Sequence, residues 1–262
     1  MKHNITSHFY GNDEGFSLLE IAICLVVMGV MLGVGIPSFL QYLRYQRTLE
    51  TKEKQEKILQ SLGAFALQNG YIPLPADPFA QGEDFGVARE AALNPPDMIG
   101  ILPFKTLGLP ESYAQEGFKR YFTYAGGTPE THLRDELGSF CTAKNFFAIQ
   151  IFEKLSPTHV PFQRGSEEDP VVVTLLSHGE NGYGAYYGGG GSLRKLTEVS
   201  QKGKDERENA SMKLSFVQRA FSSLRQDYFD DMVVWVTRSN LMALYAHSPC
   251  VPKKIQEVPT FL

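Results

Sequence analysis

An almost wholly apolar stretch near the amino terminus, FSLLEIAICLVVMGVMLGVGIPSF at residues 16–39, limits the folds open to this chain. A helix of this length, at roughly 1.5 Å per residue, reaches about 36 Å, which is enough to cross a hydrocarbon core of about 30 Å. No A-x-A-like cleavage site follows it, as a secretory signal would require, and the polar run after it is itself helical in pattern. We therefore interpret the stretch as a membrane-spanning helix, with a cleaved secretory signal as the alternative.

The apolar stretch contains a single charged residue, Glu20. A carboxylate inside a membrane helix costs on the order of 3 kcal/mol on insertion scales and usually has a partner. Since no Lys or Arg lies within residues 16–39, the cation has to come from another chain or from a new α-amino group. Cleavage next to Phe16 would create such an amine.

The segment GFSLLE, residues 15–20, ahead of an apolar helix resembles the prepilin-peptidase site of type IV pilins and type II secretion pseudopilins. The resemblance implies cleavage after Gly15, N-methylation of the new amino-terminal Phe16, and pairing of Glu20 with a neighbouring subunit's amine during filament assembly. Pro37 matches the helix-interior proline of the family. The implied partners are the prepilin peptidase, other pilin or pseudopilin subunits, the inner-membrane assembly platform and membrane lipid.

The first 15 residues, MKHNITSHFYGNDEG, form a short polar segment that we interpret as a leader and exclude from the fold. With one Lys, one Asp and one Glu its charge is +1 − 2 = −1, whereas family leaders usually end in basic residues. The positive-inside rule would place the side bearing Arg44, Arg47 and Lys52 in the cytoplasm. The motif implies the opposite: a single pass through the inner membrane, with the carboxyl-terminal domain in the periplasm or on a surface filament.

Length and composition leave room for one soluble domain of about 190 residues after the membrane helix. The chain has 262 residues, 43% of them hydrophobic, and a net charge of −4, which does not favour nucleic acid as a partner. It contains no H-E-x-x-H, G-x-S-x-G, Walker or Cys-x-x-Cys pattern. We therefore expect a protein that is not an enzyme.

The fold expected after the membrane is α+β. The helix should continue to about residue 70, because an apolar face lies at helical spacing and Asn69-Gly70 and Pro73 end the pattern; the face consists of Ile58, Leu59, Leu62, Phe65 and Ala66. Residues 71–262 should form a globular pilin-like domain, in which a small antiparallel sheet wraps on the carboxyl-terminal half of the helix. Strands are predicted at residues 119–125, 145–152, 170–176 and 232–237, and short helices at residues 239–246 and 214–224. Residues 195–208 are predicted to be a solvated charged stretch.

Three cysteines are present, and Cys24 lies inside the membrane helix. Cys141 and Cys250 share the soluble part, where they form either a disulfide or two free buried thiols. The carboxyl-terminal disulfide common in the pilin family favours a Cys141–Cys250 disulfide.

A glycine-rich loop at residues 177–184, SHGENGYG, resembles the Ser-x-Gly-x-Asp-Gly turn of major pseudopilins. Those turns hold calcium through loop oxygens and aspartates, so the resemblance implies a calcium site at Asn181, Asp230 and Asp231. Asn181 stands where the family has Asp. A plain turn with aspartates beside a strand is the alternative.

These features predict a structural subunit of a type IV pilus or type II secretion pseudopilus, assembled after leader cleavage. The soluble domain is larger than that of major subunits, which favours a minor or specialised role. Two alternatives stay open: a binding module at a filament tip that contacts a surface or a secreted substrate, and a membrane-anchored periplasmic domain that does not polymerise.

Overall fold

The structure is a computed structural model that describes residues 17–90, 95–117, 119–126, 140–141, 149–153, 169–189, 193–199, 202–248 and 250. The chain divides into two compact units, Met1–Glu50 and Thr51–Leu262. The boundary falls within a helix. The last part of that helix therefore belongs to the folded unit.

Helix α1, Leu18–Asn69, contains 52 residues, close to the helix of about 55 that its apolar pattern predicts. It includes Pro37 without ending there. It ends at Gly70, whose φ of 74° lies in the left-handed region that glycine adopts readily. The Gly70 N–H donates to the Ala66 carbonyl at 2.9 Å and so satisfies one of the last carbonyls of the helix.

The main sheet is antiparallel, in the order β1-β4-β6-β10. Its strands are β1 Ile99–Ile101, β4 Thr123–Gly126, β6 Val171–Ser177 and β10 Met232–Thr237. A second sheet has the order β2-β3-β7-β8, with β2 Gln115–Gly117, β3 Arg120–Tyr121, β7 Tyr186–Tyr187 and β8 Arg194–Lys195. A parallel pair consists of β5 Gln150–Phe152 and β9 Ser215–Val217.

Short helical elements complete the described fold. They are α2 Glu111–Ala114, α3 Lys204–Asn209 and α4 Arg238–Asn240, a π-type turn at Leu241–Tyr245, and 3-10 turns at Gly82–Asp84 and Pro95–Met98. The architecture is thus mixed α+β, as the sequence predicts.

Both faces of the main sheet are covered. On one face, Tyr124 and Leu175 belong to the same hydrophobic cluster as the buried α1 residues Ile58, Leu59, Leu62 and Ala66. On the other face, Ala125 and Leu176 pack in a second cluster with Ile151 of β5 and Phe216 of β9. All seven residues of β6 are buried, which is the pattern of a strand enclosed on both sides. The sequence pattern did not indicate the β5–β9 layer.

Two local predictions are wrong. The stretch predicted as a helix at residues 214–224 forms β9 and then a turn in which Ser222 and Phe229 exchange backbone hydrogen bonds of 2.8 and 2.9 Å. The stretch predicted as solvated contains α3, whose Asp205 and Glu206 are buried. Of the predicted strand at residues 145–152, residues 145–148 lie outside the described part. The helix predicted at residues 239–246 is present as α4 and the π-type turn.

Cys141 and Cys250 form the disulfide that the resemblance to pilins implies. The sulfur atoms of Cys141 and Cys250 lie 2.01 Å apart and the Cα atoms 5.3 Å apart, within the range of a disulfide. Both residues pack against the hydrophobic cluster that contains the buried face of α1. The bond therefore ties residue 250 to the core. Cys24 is exposed and free.

Candidate functional site

The amino-terminal part of α1, residues 18–50, carries the residues that the resemblance associates with assembly. Its apolar stretch is not buried within the protein, and the helix is long and apolar enough to span a membrane. Large side chains such as Leu18, Val26 and Met31 are two-thirds or more exposed (88%, 67% and 69%). Gly15, Phe16 and the leader lie outside the described residues.

Glu20 lies in the first turn of this helix and contacts its own backbone. The Ser17 N–H donates to Glu20 Oε2 at 3.2 Å, and the Leu19 N–H donates to Ser17 Oγ at 3.3 Å. The Glu20 carboxylate thus reaches back to the Ser17 N–H as in a capping box, while the Ser17 hydroxyl caps the N–H of Leu19 and not that of Glu20. Any role of Glu20 between subunits therefore has to be separated from this capping role.

A cluster of carboxylates occupies the folded unit where α3, the turn after β6 and the start of β10 meet. Oxygen atoms of Glu206, Asp230 and Asp231 lie within 4.8 Å of one another. Glu206 and Asp231 are buried, and Asp230 is partly buried. Ionised carboxylates this close repel each other, so the arrangement favours a bound cation or retained protons.

Asp230 binds the turn that follows β6. Its Oδ2 accepts hydrogen bonds from the backbone N–H groups of Glu180 and Asn181 at 2.8 and 2.9 Å, and from the Tyr228 hydroxyl at 3.0 Å. The turn approaches so closely that a Cβ on Gly179 would lie 2.4 Å from Asp230, and Gly179 has a φ of 60°. The other carboxylate oxygen of Asp230, Oδ1, is buried without a hydrogen-bond partner in the described structure.

Glu206 links three segments. Its carboxylate accepts from the backbone N–H groups of Gly203 and Asp230 at 3.1 and 3.0 Å, and from Asn181 Nδ2 at 3.1 Å. Burial raises the pKa of Glu206 to about 7, and the adjacent Asp230 carboxylate adds to the shift. With this pKa, the Glu206 carboxyl populates both its protonated and its ionised form at neutral pH.

Asp231 is the most enclosed member of the cluster. Its Oδ2 accepts from Asn209 Nδ2 at 2.8 Å, whereas its Oδ1 is buried without a described partner. Burial raises the pKa of Asp231 well above its usual value, and the nearby Glu206 and Asp230 add to the shift. The two orphaned Oδ1 atoms of Asp230 and Asp231 are the kind of acceptor that a hard cation satisfies.

The predicted calcium residues therefore occupy one region, with differing roles. Asp230 and Asp231 contribute carboxylates to the cluster. Asn181 accepts from the Tyr183 N–H through Oδ1 at 2.7 Å and turns its amide nitrogen toward Glu206. The sequence did not indicate Glu206 as a site residue, because the charged hexapeptide KDEREN at residues 204–209 is typical of a solvent-exposed stretch. The available signal was the pair of acids in the first turn after Gly203, where they favour a helix start.

A second buried polar group lies on the other side of the same turn. His178 is fully buried, its Nε2 is 2.8 Å from Thr123 Oγ1, and its backbone N–H donates to Glu116 Oε2 at 2.9 Å. Burial lowers the pKa of His178 to about 3, so the ring is neutral. The Glu116 residue is partly exposed but its Oε1 is enclosed, and burial raises the pKa of this carboxyl to about 7.

Arg219 links α3 to the turn that precedes Asp230 through ion pairs. Its Nε lies 2.6 Å from Asp205 Oδ2 and its Nη2 lies 3.0 Å from Asp227 Oδ1, while the guanidinium sits 4.5 Å from the ring centre of Phe229. The Asp205 and Arg219 side chains are only 3% and 12% exposed. This enclosed ion pair holds the segments that carry Glu206 and Asp230 in place.

Comparison with known proteins gives no match: no family model, no curated protein and no solved structure matches the chain. The functional assignment accordingly rests on the residues and their geometry.

Proposed function

We propose that this chain is a structural subunit of a type IV pilus or type II secretion pseudopilus, in a minor or specialised role, and that it assembles after cleavage between Gly15 and Phe16. The observation that carries the proposal is Glu20, the one charge in an otherwise apolar helix segment whose side chains are exposed. Its partners would be a prepilin peptidase, neighbouring subunits and an inner-membrane assembly platform. The sheet domain would then wrap on the carboxyl-terminal half of the helix in the periplasm or on the filament.

Electrostatics gives the expected role of Glu20. A carboxylate and a neighbouring subunit's ammonium about 4 Å apart attract by about 4 kcal/mol at an effective dielectric near 20, before desolvation is subtracted. Only subunits in the correct register satisfy both charges. The proposed charge pair therefore favours ordered assembly over a dispersed membrane population.

The two capping contacts of Ser17 allow a test that separates charge from helix capping. Glu20→Gln keeps an oxygen that accepts from the Ser17 N–H, since Gln also serves in capping boxes, but it removes the charge. Ser17→Ala removes the hydroxyl that accepts from the Leu19 N–H and keeps the charge. We expect Glu20→Gln to be inserted and processed but absent from filaments, whereas Ser17→Ala is processed and assembled.

Processing and filament incorporation are measured separately, because Ser17 lies beside the cleavage site. Gly15→Leu serves as the unprocessed reference. If processed Ser17→Ala fails to assemble as severely as Glu20→Gln, Glu20 acts through the cap and not through its charge. Wild-type filament yield from Glu20→Gln would remove the main support for a filament subunit.

We further propose that the carboxylate cluster holds calcium. Asp230 and Asp231 from the sequence prediction, together with Glu206, would supply the ligands, and Asn181 would orient Glu206 through its amide nitrogen. The buried Oδ1 atoms of Asp230 and Asp231 support the assignment, because each lacks a described partner. The ion would neutralise three close carboxylates and link α3 to the turn after β6.

A further inference from the structure

Just beyond its apolar stretch, helix α1 carries four exposed residues of two kinds. Tyr42 and Tyr45 are 56% and 59% exposed, and Arg44 and Arg47 are exposed as well. With 3.6 residues per turn, the two tyrosines lie on one side of the helix and the two arginines on the opposite side. The exposed polar surface of this segment therefore runs around the helix. We call Tyr42, Arg44, Tyr45 and Arg47 the collar.

The collar lies at the height of the lipid head groups when the apolar stretch spans a membrane. A rise of about 1.5 Å per residue places Tyr42 about 3 Å and Arg47 about 10 Å beyond Leu40, the last apolar residue before Gln41. The head-group layer extends about 5–7 Å beyond the hydrocarbon core on each side. The Arg47 side chain is long enough to reach back into this layer, as arginines do near the ends of membrane helices.

We propose that the collar binds the phosphate groups of anionic phospholipids. The inference rests on the membrane-spanning helix of the proposed function and does not depend on filament assembly. Residues 40–49 contain two arginines and no acidic residue, so this segment attracts a negatively charged membrane surface. A guanidinium group has five N–H donors and matches the geometry of a phosphate. Each arginine can therefore contact a head group while keeping a contact within the chain.

The tyrosines suit the same layer as the arginines. A tyrosine has an apolar ring and a polar hydroxyl, and such side chains are enriched where the hydrocarbon core meets the head groups. Leu43 and Leu49, which are 36% and 42% exposed, add apolar surface to the segment. The rings of Tyr42 and Tyr45 can thus lie against the upper acyl chains while their hydroxyls contact head groups.

The arrangement around the helix favours lipid over a protein partner. A single chain docked on this segment would cover the tyrosine side or the arginine side and leave the other side in water. A lipid layer surrounds the helix and so contacts both sides at once. The collar is also continuous with the exposed apolar surface of the preceding part of α1, which is long and apolar enough to span a membrane. One occupant, the bilayer, therefore covers both.

The test uses the full chain in nanodiscs that hold one copy each, made of phosphatidylcholine with a minor fraction of phosphatidylglycerol. Spin-labelled forms of the two lipids report how strongly each is retained at the protein surface. We expect phosphatidylglycerol to be preferred about fivefold at low salt, since an arginine near a membrane surface favours anionic lipid by roughly this factor. The preference should fall as NaCl rises. Equal retention of the two lipids at low salt would overturn the proposal.

Substitutions locate the contact. The double variant Arg44→Gln/Arg47→Gln should bring the lipid preference close to one. Lys52→Gln/Lys57→Gln is the matched control, because it removes two charges from exposed positions further along the same helix, and it should keep the preference. An equal loss in both double variants would show that net charge and not the collar attracts the lipid, and would overturn the proposal.

A single tryptophan reports the depth of the collar. Trp235 is the only tryptophan of the chain, so Tyr45→Trp combined with Trp235→Phe provides one reporter. A spin label on the lipid head group should quench its fluorescence more than a label deep in the acyl chain or iodide in the water. Strongest quenching by iodide would place the collar outside the bilayer and overturn the proposal.

Flotation of the full chain with vesicles of the same lipids separates this inference from the function on which it rests. A chain that floats with the vesicles but shows no preference for phosphatidylglycerol overturns the collar alone. A chain that does not float overturns the membrane-spanning helix together with the collar. We expect the chain to float and to show the preference.

Discussion

The two parts of helix α1 use apolar side chains in opposite ways. In residues 18–50, apolar side chains are exposed around the helix, as Leu25 shows at 64% exposure. In residues 51–69, Ile58, Leu59, Leu62 and Ala66 are buried at 1% exposure or less and share a cluster with the strands. The second part is stabilised by its own domain, whereas the first has apolar surface that only lipid or another chain can cover.

The glycines show the same difference. A Cβ added at Gly29, Gly33 or Gly35 meets nothing within 4 Å, whereas a Cβ at Gly63 would lie 2.7 Å from the Tyr245 carbonyl carbon. Gly63 therefore allows close packing against the π-type turn inside the folded unit. The amino-terminal glycines leave space that a neighbouring helix can approach.

Matched leucine substitutions test the contrast most strongly. Leu62→Ala should lower the free energy of unfolding by about 3 kcal/mol, because it removes a fully buried side chain and leaves a cavity. Leu25→Ala should leave the unfolding of the soluble domain unchanged. Thermal and denaturant unfolding of the full chain in detergent measures both. Equal losses would contradict the division of α1 into two parts.

Calcium should stabilise the folded unit without affecting the amino-terminal part. At a calcium concentration about 100 times the Kd, binding to the native state alone adds about 2.7 kcal/mol. We expect the Tm to rise in calcium relative to chelator, and Asp231→Asn to abolish the rise. Asp84→Asn, at an exposed 3-10 turn, is the control and should keep it. Identical Tm values for wild type in calcium and chelator would rule the site out.

A methyl group at Gly63 should have an effect of similar or smaller size. Gly63→Ala should destabilise the domain by about 2 kcal/mol, because the new Cβ meets backbone atoms of Tyr245 and Ala246 that cannot move independently. Gly33→Ala should leave the unfolding of the domain unchanged. Unfolding curves of the two variants give the comparison, and a neutral Gly63→Ala would show that α1 and the π-type turn do not pack as described.

The folded unit should also respond to pH through the partly enclosed carboxyl of Glu116. Burial raises the pKa of Glu116 from its ordinary value of 4.5 to about 7 in the folded state, so the native state binds more protons and stability falls as pH rises between these values. Glu116→Gln removes this loss and should raise stability at pH 8 by about 1–2 kcal/mol, with little change near pH 4.5. If Tm varies with pH in the same way for wild type and Glu116→Gln, the Glu116 carboxyl does not have the raised pKa that its enclosure implies.

The sequence was sufficient for features set by local pattern. The length of α1 followed from its apolar run and the Gly70 signal, and the positions of β6 and β10 followed from their Val-rich stretches. Residues 214–224 were misread because Leu214, Val217, Phe221 and Leu224 have helical spacing. Their strand conformation depends on the parallel partner β5, about 65 residues earlier, and such pairing leaves no local signal.

The carboxylate cluster shows the same limit. Asp230 and Asp231 were found through a loop resemblance, but Glu206 joins them only through the tertiary packing of α3. A charged hexapeptide is expected to be exposed to solvent unless the residues that pair with its charges are known. Arg219, which pairs with Asp205 and stacks on Phe229, is among those partners.

The amino-terminal mass of the protein purified from membranes tests the central claim most directly. A processed filament subunit should begin at Phe16 and carry one added methyl group, and Gly15→Leu should retain the leader. A protein that still begins at Met1, in cells with an active prepilin peptidase, would contradict assignment to the filament subunits.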